Sequence, residues 1–130
     1  MNDDILEAYG RQELNEYSHW VYVLECRLRW YCDDFSEYER RLNKRLDYDP
    51  DWKRMAWEAR HQLYIGQTEN LEKRLGQHFR NKFASDFTKV WEPTRIRFLK
   101  PCHSRQNAEY EEQRIGKSYY DSNTTYAYWK

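Results

Sequence analysis

Along this chain the apolar positions recur with two different periods, and the changes of period mark out the elements. Residues 3 to 17 space Ile5, Leu6, Tyr9, Leu14 and Tyr17 at mostly helical intervals, with Gly10 weakening the middle, and predict an N-terminal helix. Residues 19 to 26, "HWVYVLEC", are rich in β-branched and aromatic side chains and predict a strand that contains Tyr22. Between residues 33 and 60 the period lengthens. Phe35, Tyr38, Leu42 and Leu46 follow the capping candidates Asp33 and Asp34. Asp49 and Pro50 then suit an N-cap and first turn ahead of a second stripe of Trp52, Met55, Ala56 and Ala59. The section predicts a helical hairpin laid between two strands.

"QLYIGQT" predicts the second strand, with Gly66 permitting a turn or a close backbone approach. Thr68 or Asn70 can cap the helix that follows, in which Leu71 and Leu75 form one i,i+4 pair toward the core and Arg74 and His78 form another beside it. "TRIRFLKPC", residues 94 to 102, predicts a third strand, and Ser104 a cap for a final helix with the stripe Ala108, Ile115 and Tyr119. At about 100° per residue, Glu112 lies roughly 40° from the centre of that stripe and Glu111 about 60° away on the other side. Glu112 is the carboxylate nearest the buried face. The tail, from Asp121, starts as a turn and ends with Tyr126, Tyr128 and Trp129, which can close the domain.

Length changes this picture little: 130 residues suit one domain with a modest core. Aromatic residues make up 18% and charged residues 34%, a mixture that suits a folded domain and argues against disorder, and the core must draw on Tyr and Trp. No apolar run reaches the roughly 18 residues of a membrane span, and the acidic N-terminal decapeptide is not a signal peptide. Cys26, Cys32 and Cys102 are odd in number and lack C-x-x-C spacing, which points to reduced thiols in an intracellular, cytoplasmic protein.

The zero net charge conceals an uneven distribution. Residues 1–59 carry 9 basic against 14 acidic side chains, whereas residues 60–105 carry 10 against 4. A basic segment within a neutral chain suits a localised polyanion site. Arg74 and His78 on one helix face suit a phosphate clamp, because a guanidinium matches two phosphate oxygens and an imidazole can donate or move a proton. Glu112 beside an apolar stripe requires a partner, either a metal ion or a basic side chain.

The order of these pieces is more specific than any one of them. Strand "VYV", strand "LYIG", then T-x-N-L-x-x-R-L-x-x-H, a later helix "AEYEE" and a downstream Asn resemble the GIY-YIG nuclease family. Tyr22 matches the tyrosine of the first motif, Tyr64 and Gly66 match the second, Arg74 the helix arginine, and His78 a position often His or Tyr. Glu112, four residues after Ala108, matches the metal-binding glutamate, and Asn123 the final polar residue. Two departures stand out. The first motif reads Trp-Val-Tyr-Val, without its usual glycine, and Tyr22 and Tyr64 stand 42 residues apart. The family normally separates the two motifs by about ten residues, so residues 27–60 form an insertion particular to this protein or a subgroup.

The resemblance implies a small α/β (α+β) domain spanning residues 1–130, with a three-stranded antiparallel sheet flanked by helices and the helical insertion between strands 1 and 2. It implies a DNA endonuclease using one Mg²⁺ (or Mn²⁺) held by Glu112, with Arg74 on the scissile phosphate. Tyr22 or Tyr64 would act on the attacking water, which asks for a phenol pKa well below its ordinary value, and His78 would take the phenol proton. Lys73, Arg80, Lys82, Lys89, Arg95, Arg97 and Lys100 can follow the DNA backbone. The insertion, with Arg40, Arg41, Lys44 and Arg45 among acidic residues, can read DNA, form a homodimer or brace the sheet, its mixed charge favouring the last two. The rival readings are a catalytically silent nucleic-acid-binding module on the same fold and an unrelated protein-interaction domain.

Overall fold

In the computed structural model, which describes residues 18–80, 85–120 and 124–129, four strands form one sheet in the order β3-β1-β2-β4. β1 is His19–Leu28, β2 His61–Thr68, β3 Trp91–Cys102 and β4 Thr125–Tyr128. β1 is central and antiparallel to both β2 and β3, while β4 lies parallel to β2 at the far edge. The expected sheet of three antiparallel strands therefore gains a fourth, parallel one. The tail does close the domain, but as an edge strand, and the Trp129 indole lies against Gly116, where a Cβ would come within 2.7 Å of its ring. The expected N-terminal helix and the turn at residues 121–123 lie outside the described residues.

Two layers of helix cover the sheet, and the period of two along β1 decides which residues face which layer. Trp20, Tyr22, Leu24 and Cys26 point to one face, where they join Tyr64, Tyr38, Leu42, Leu71, Leu75 and Phe87 in the larger core. That face is covered by α1 (Phe35–Arg45), α2 (Lys53–Glu58), α3 (Leu71–Phe79) and the short α4 (Asp86–Val90). Val21 and Val23 point the other way and meet Leu63, Ile65, Ala108 and Ile115 under α5 (Arg105–Tyr120), which carries the chain from β3 to β4. Fully burying each large apolar side chain contributes about 1.5–3 kcal/mol, so a core of tyrosine, tryptophan and leucine is sufficient for a chain this short.

The helix ends follow local chemistry. Asp34 accepts the Glu37 backbone N–H at 2.9 Å, Asn70 that of Lys73 at 3.2 Å, and Ser104 that of Asn107 at 3.1 Å. Each such cap contributes about 1 kcal/mol. Asp49 departs from its expected role. It holds the Lys53 ammonium at 2.7 Å instead, Pro50 sits in a preceding turn, and α2 starts only at Lys53 without a side-chain cap. Met55, expected on the buried stripe, is 45% exposed; Trp57 takes that role by stacking on Tyr38 at 4.9 Å.

β3 is an edge strand, which is why it accommodates Pro93 and Pro101. Its register against β1 slips twice, skipping Arg97 between Val23 and Leu24 and Thr94 between Glu25 and Cys26. Each slip is a bulge that re-aims a side chain. Arg97 turns to the Glu25 carboxylate at 2.8 Å, and Thr94 donates to the Glu25 carbonyl at 3.1 Å.

Candidate active site

Tyr22, Tyr64, Arg74 and His78 meet on the face of the sheet covered by α3. Antiparallel pairing sets Tyr22 opposite Gly66. A Cβ on Gly66 would lie 2.5 Å from Tyr22 Cζ, so the phenol crosses the strand where only glycine leaves room. The Tyr22 hydroxyl ends 3.0 Å from His78 Nε2 and receives a longer hydrogen bond from Arg74 Nε at 3.4 Å. The Tyr64 ring stacks beside Tyr22 with centroids 6.2 Å apart and lies 4.8 Å from the His78 ring.

α3 presents both polar groups because Arg74 and His78 are four residues apart, next to the buried pair Leu71 and Leu75. Arg74 is the half-exposed member, steadied by Gln77, which accepts from its Nη1 at 3.2 Å. Tyr22, Tyr64 and His78 are buried to 1%, 6% and 3% exposure. A ligand therefore approaches from the Arg74 side.

Burial governs the protonation states. It is the first cause pushing the Tyr22 phenol above its ordinary value, ahead of the Tyr64 hydroxyl; the bond from Arg74 pulls the other way and is outweighed. Arg74 by itself thus does not lower the Tyr22 phenol as the water-activating role asks. His78 is pushed down to about 4, by burial first and then by the Arg74 charge, so its imidazole is neutral at neutral pH. Its Nδ1 is buried without a hydrogen-bond partner, at a cost of about 1–3 kcal/mol.

Glu112 is 7% exposed on α5, the helix of the opposite layer, and its charge reaches Tyr22 as a smaller raising influence. Glu111 is buried beside it, 9% exposed, and is bound by Arg114 at 2.6 Å and more distantly by Lys100 at 3.9 Å. The described residues contain no group of three or more His, Cys, Asp or Glu side chains, so no zinc-type cage is built among them. One carboxylate with the remaining positions left to water is a donor set that fits Mg²⁺, which dehydrates reluctantly.

The expected DNA-contacting residues fall into separate groups. Lys73 and Arg80 are exposed on and just after α3, the helix that carries Arg74 and His78. Lys89 pairs with Asp86 at 3.2 Å. Arg95 and Arg97 both grip Glu25, whose carboxyl is held below its ordinary range by the Arg95 bond first, then by Arg97, against the effect of burial. Arg97 also donates to the Tyr119 hydroxyl at 3.3 Å. Lys82 and Asn123 lie outside the described residues. Two neighbours were missed from sequence. Tyr128 stacks on Tyr64 at 5.7 Å, and Gln77 orients Arg74; only the i,i+3 spacing of Gln77 from Arg74 hinted at either.

A tyrosine crosses a strand glycine, and an arginine and a histidine from the next helix close on its hydroxyl. The family model of the GIY-YIG catalytic domain matches residues 54–124, more than half of the chain, and the protein belongs to the GIY-YIG nuclease family. The match begins just before β2, so Tyr22 joins the site across the insertion through strand pairing. No curated protein and no solved structure matches the chain. No helix of the described residues is long and apolar enough to cross a membrane.

Proposed function

We propose that this protein is a single-domain, metal-dependent endonuclease that hydrolyses DNA phosphodiesters by tyrosine-assisted attack of water. The observation that carries the reading is the contact of the Tyr22 hydroxyl with neutral His78 at 3.0 Å and with Arg74 at 3.4 Å. With its phenol held protonated by burial, Tyr22 does not need to begin as a phenolate. It takes the proton of the attacking water as its own proton passes to His78 Nε2, and the hydroxide so formed bonds to phosphorus as the bond to the departing oxygen breaks. Arg74, half-exposed, pairs with the scissile phosphate as charge builds on its oxygens. A bound phosphate also offsets the Arg74 charge, the second cause of the low His78 pKa, and so makes His78 a better acceptor once substrate is present.

Glu112 would hold the divalent ion, Mg²⁺ or Mn²⁺, which supplies charge neutralisation at the departing oxygen when bound. Tyr64 packs against both Tyr22 and His78 and would orient the water or share the relay. Lys73 and Arg80 would hold the adjoining backbone phosphates, and Asn123 would follow the resemblance as a supporting residue. A monomer presents one centre and would nick.

The second reading, a silent binding module, has one observation in its favour. Tyr22, Tyr64 and His78 are buried, so water reaches them only after side chains move. The decisive experiment incubates supercoiled plasmid with Mg²⁺ and the wild-type protein, a Glu112→Gln variant, or wild type with EDTA. Nicking by wild type alone, with the variant folded and still binding DNA, supports the enzyme. DNA binding without nicking of plasmid, branched or single-stranded DNA supports the module.

A further inference from the structure

The insertion carries three cations, Arg40, Lys44 and Arg45, that no ion pair among the described residues engages. On α1, Arg40 and Lys44 stand one turn apart, as do Arg41 and Arg45, so the four form adjacent ridges. Together with Trp30, from the segment after β1, they line a shallow, open cleft of about 370 Å³. Of the neighbouring carboxylates, only Glu37 reaches a cleft cation, Arg41; the others are engaged elsewhere. Glu37 accepts the Asp33 backbone N–H and pairs with Arg41 at 3.5 Å, while Glu39 and Asp49 both hold Lys53. No ion pair among the described residues holds Arg40, Lys44 or Arg45. Lys44 and Arg45 suit the negative end of α1, but Arg40 and Arg41 lie a turn too early for that account.

We propose that this cleft is a second DNA-binding surface, which takes backbone phosphates flanking the cleavage centre on its four cations and offers the Trp30 ring to an exposed base. Tyr38 and Leu42 anchor α1 in the same core as Tyr22 and Tyr64, so helix and candidate site cover one face of the sheet. From Tyr22 to Leu28, β1 runs six residues, a rise of about 20 Å. That span matches about six nucleotides at ~3.4 Å each, within reach of one bound duplex. The same charge argues against the homodimer considered for the insertion, because a two-fold contact through this face would set four cations against four. The inference rests on the nucleic-acid reading of the family but not on catalysis.

The test measures binding of the full chain to a fluorescein-labelled DNA duplex in EDTA, across a series of KCl concentrations. Wild type is compared with an R40Q/K44Q/R45Q variant and with an R54Q/R105Q/K117Q variant that loses equal charge elsewhere, both checked for an unchanged thermal midpoint. The first variant is expected to bind at least ~10-fold more weakly at about 100 mM salt, with a log–log salt slope shallower by about 2–3; the second should stay near wild type. A duplex with a single-stranded overhang carrying 5-bromodeoxyuridine should photocrosslink to the peptide containing Trp30. Equal losses in both variants, wild-type binding by the first, or loss of anionic phosphatidylserine vesicle binding with DNA binding intact would each overturn the proposal. A protein that never nicks DNA but shows the expected losses keeps this surface while the nuclease reading fails.

Discussion

Tyr22 and Gly66 face each other across β1 and β2, and the phenol ring of the first occupies the space where the second would carry a side chain. The glycine is thus a seat for the tyrosine, and it aims the hydroxyl at α3. Gly66→Ala should force the ring aside and destabilise the fold by about 1–3 kcal/mol, the usual scale of an overpacked core. In a Tyr22→Ala background the same change should cost much less, because the colliding ring is gone. Urea unfolding of the four proteins of this cycle measures the coupling; additive effects would mean that the ring and the glycine are independent.

Tyr22→Phe and His78→Ala should each lower plasmid nicking by about 10²- to 10⁴-fold, the range for losing a positioned proton-transfer group. Because the two groups share one proton path, the double variant should be little worse than the poorer single one. DNA binding in EDTA should remain. Multiplying losses in the double variant would separate the two groups.

The buried His78 also makes stability depend on pH. Its folded pKa of about 4 lies below the ordinary 6.5, so the unfolded chain binds the proton more tightly. His78 therefore leaves stability intact above about pH 6.5, and stability falls as the pH drops from there toward about 4. The whole effect is on the order of 3 kcal/mol. Urea midpoints taken across this window should fall steeply for wild type and less steeply for His78→Phe. Parallel profiles would mean that His78 charges without cost.

Glu25 holds Arg95 and Arg97 together at the exposed edge of the sheet. Glu25→Gln should release both guanidinium groups, tighten DNA binding at low salt severalfold and steepen the salt dependence. Unchanged binding would place these two arginines outside the DNA path and leave them as a structural clamp.

Much of the fold was legible in local chemistry. The period-two runs in "HWVYVLEC" and "QLYIGQT", the caps at Asp34, Asn70 and Ser104, and the stripe Tyr38, Leu42, Leu46 are decided by residues a few positions apart, so the sequence alone reads them. The order of Tyr22, Tyr64, Gly66, Arg74 and His78 was equally plain, because it is a linear pattern. α4 was missed: five residues carry too little periodicity to announce a helix. Of the expected stripe, Trp52 and Ala56 are buried but Met55 is not, because the Tyr38 and Phe35 rings of α1 draw Trp57 inward instead.

Other features belong to the tertiary structure because they depend on strands far apart in the chain. β4 is four residues long, and only the crossing of α5 brings it parallel to β2. Two bulges in β3 send Arg97 and Thr94 toward Glu25, so the basic segment that looked like one DNA track divides into free and engaged cations. Burial is the clearest case. The sequence pattern asked for a lowered phenol at Tyr22 or Tyr64 and said nothing of the His78 imidazole's shift. Closing the helical layer that contains α3 over this face of the sheet raises the pKa of the Tyr22 phenol and lowers that of His78, because removing water penalises whichever form of each group is charged.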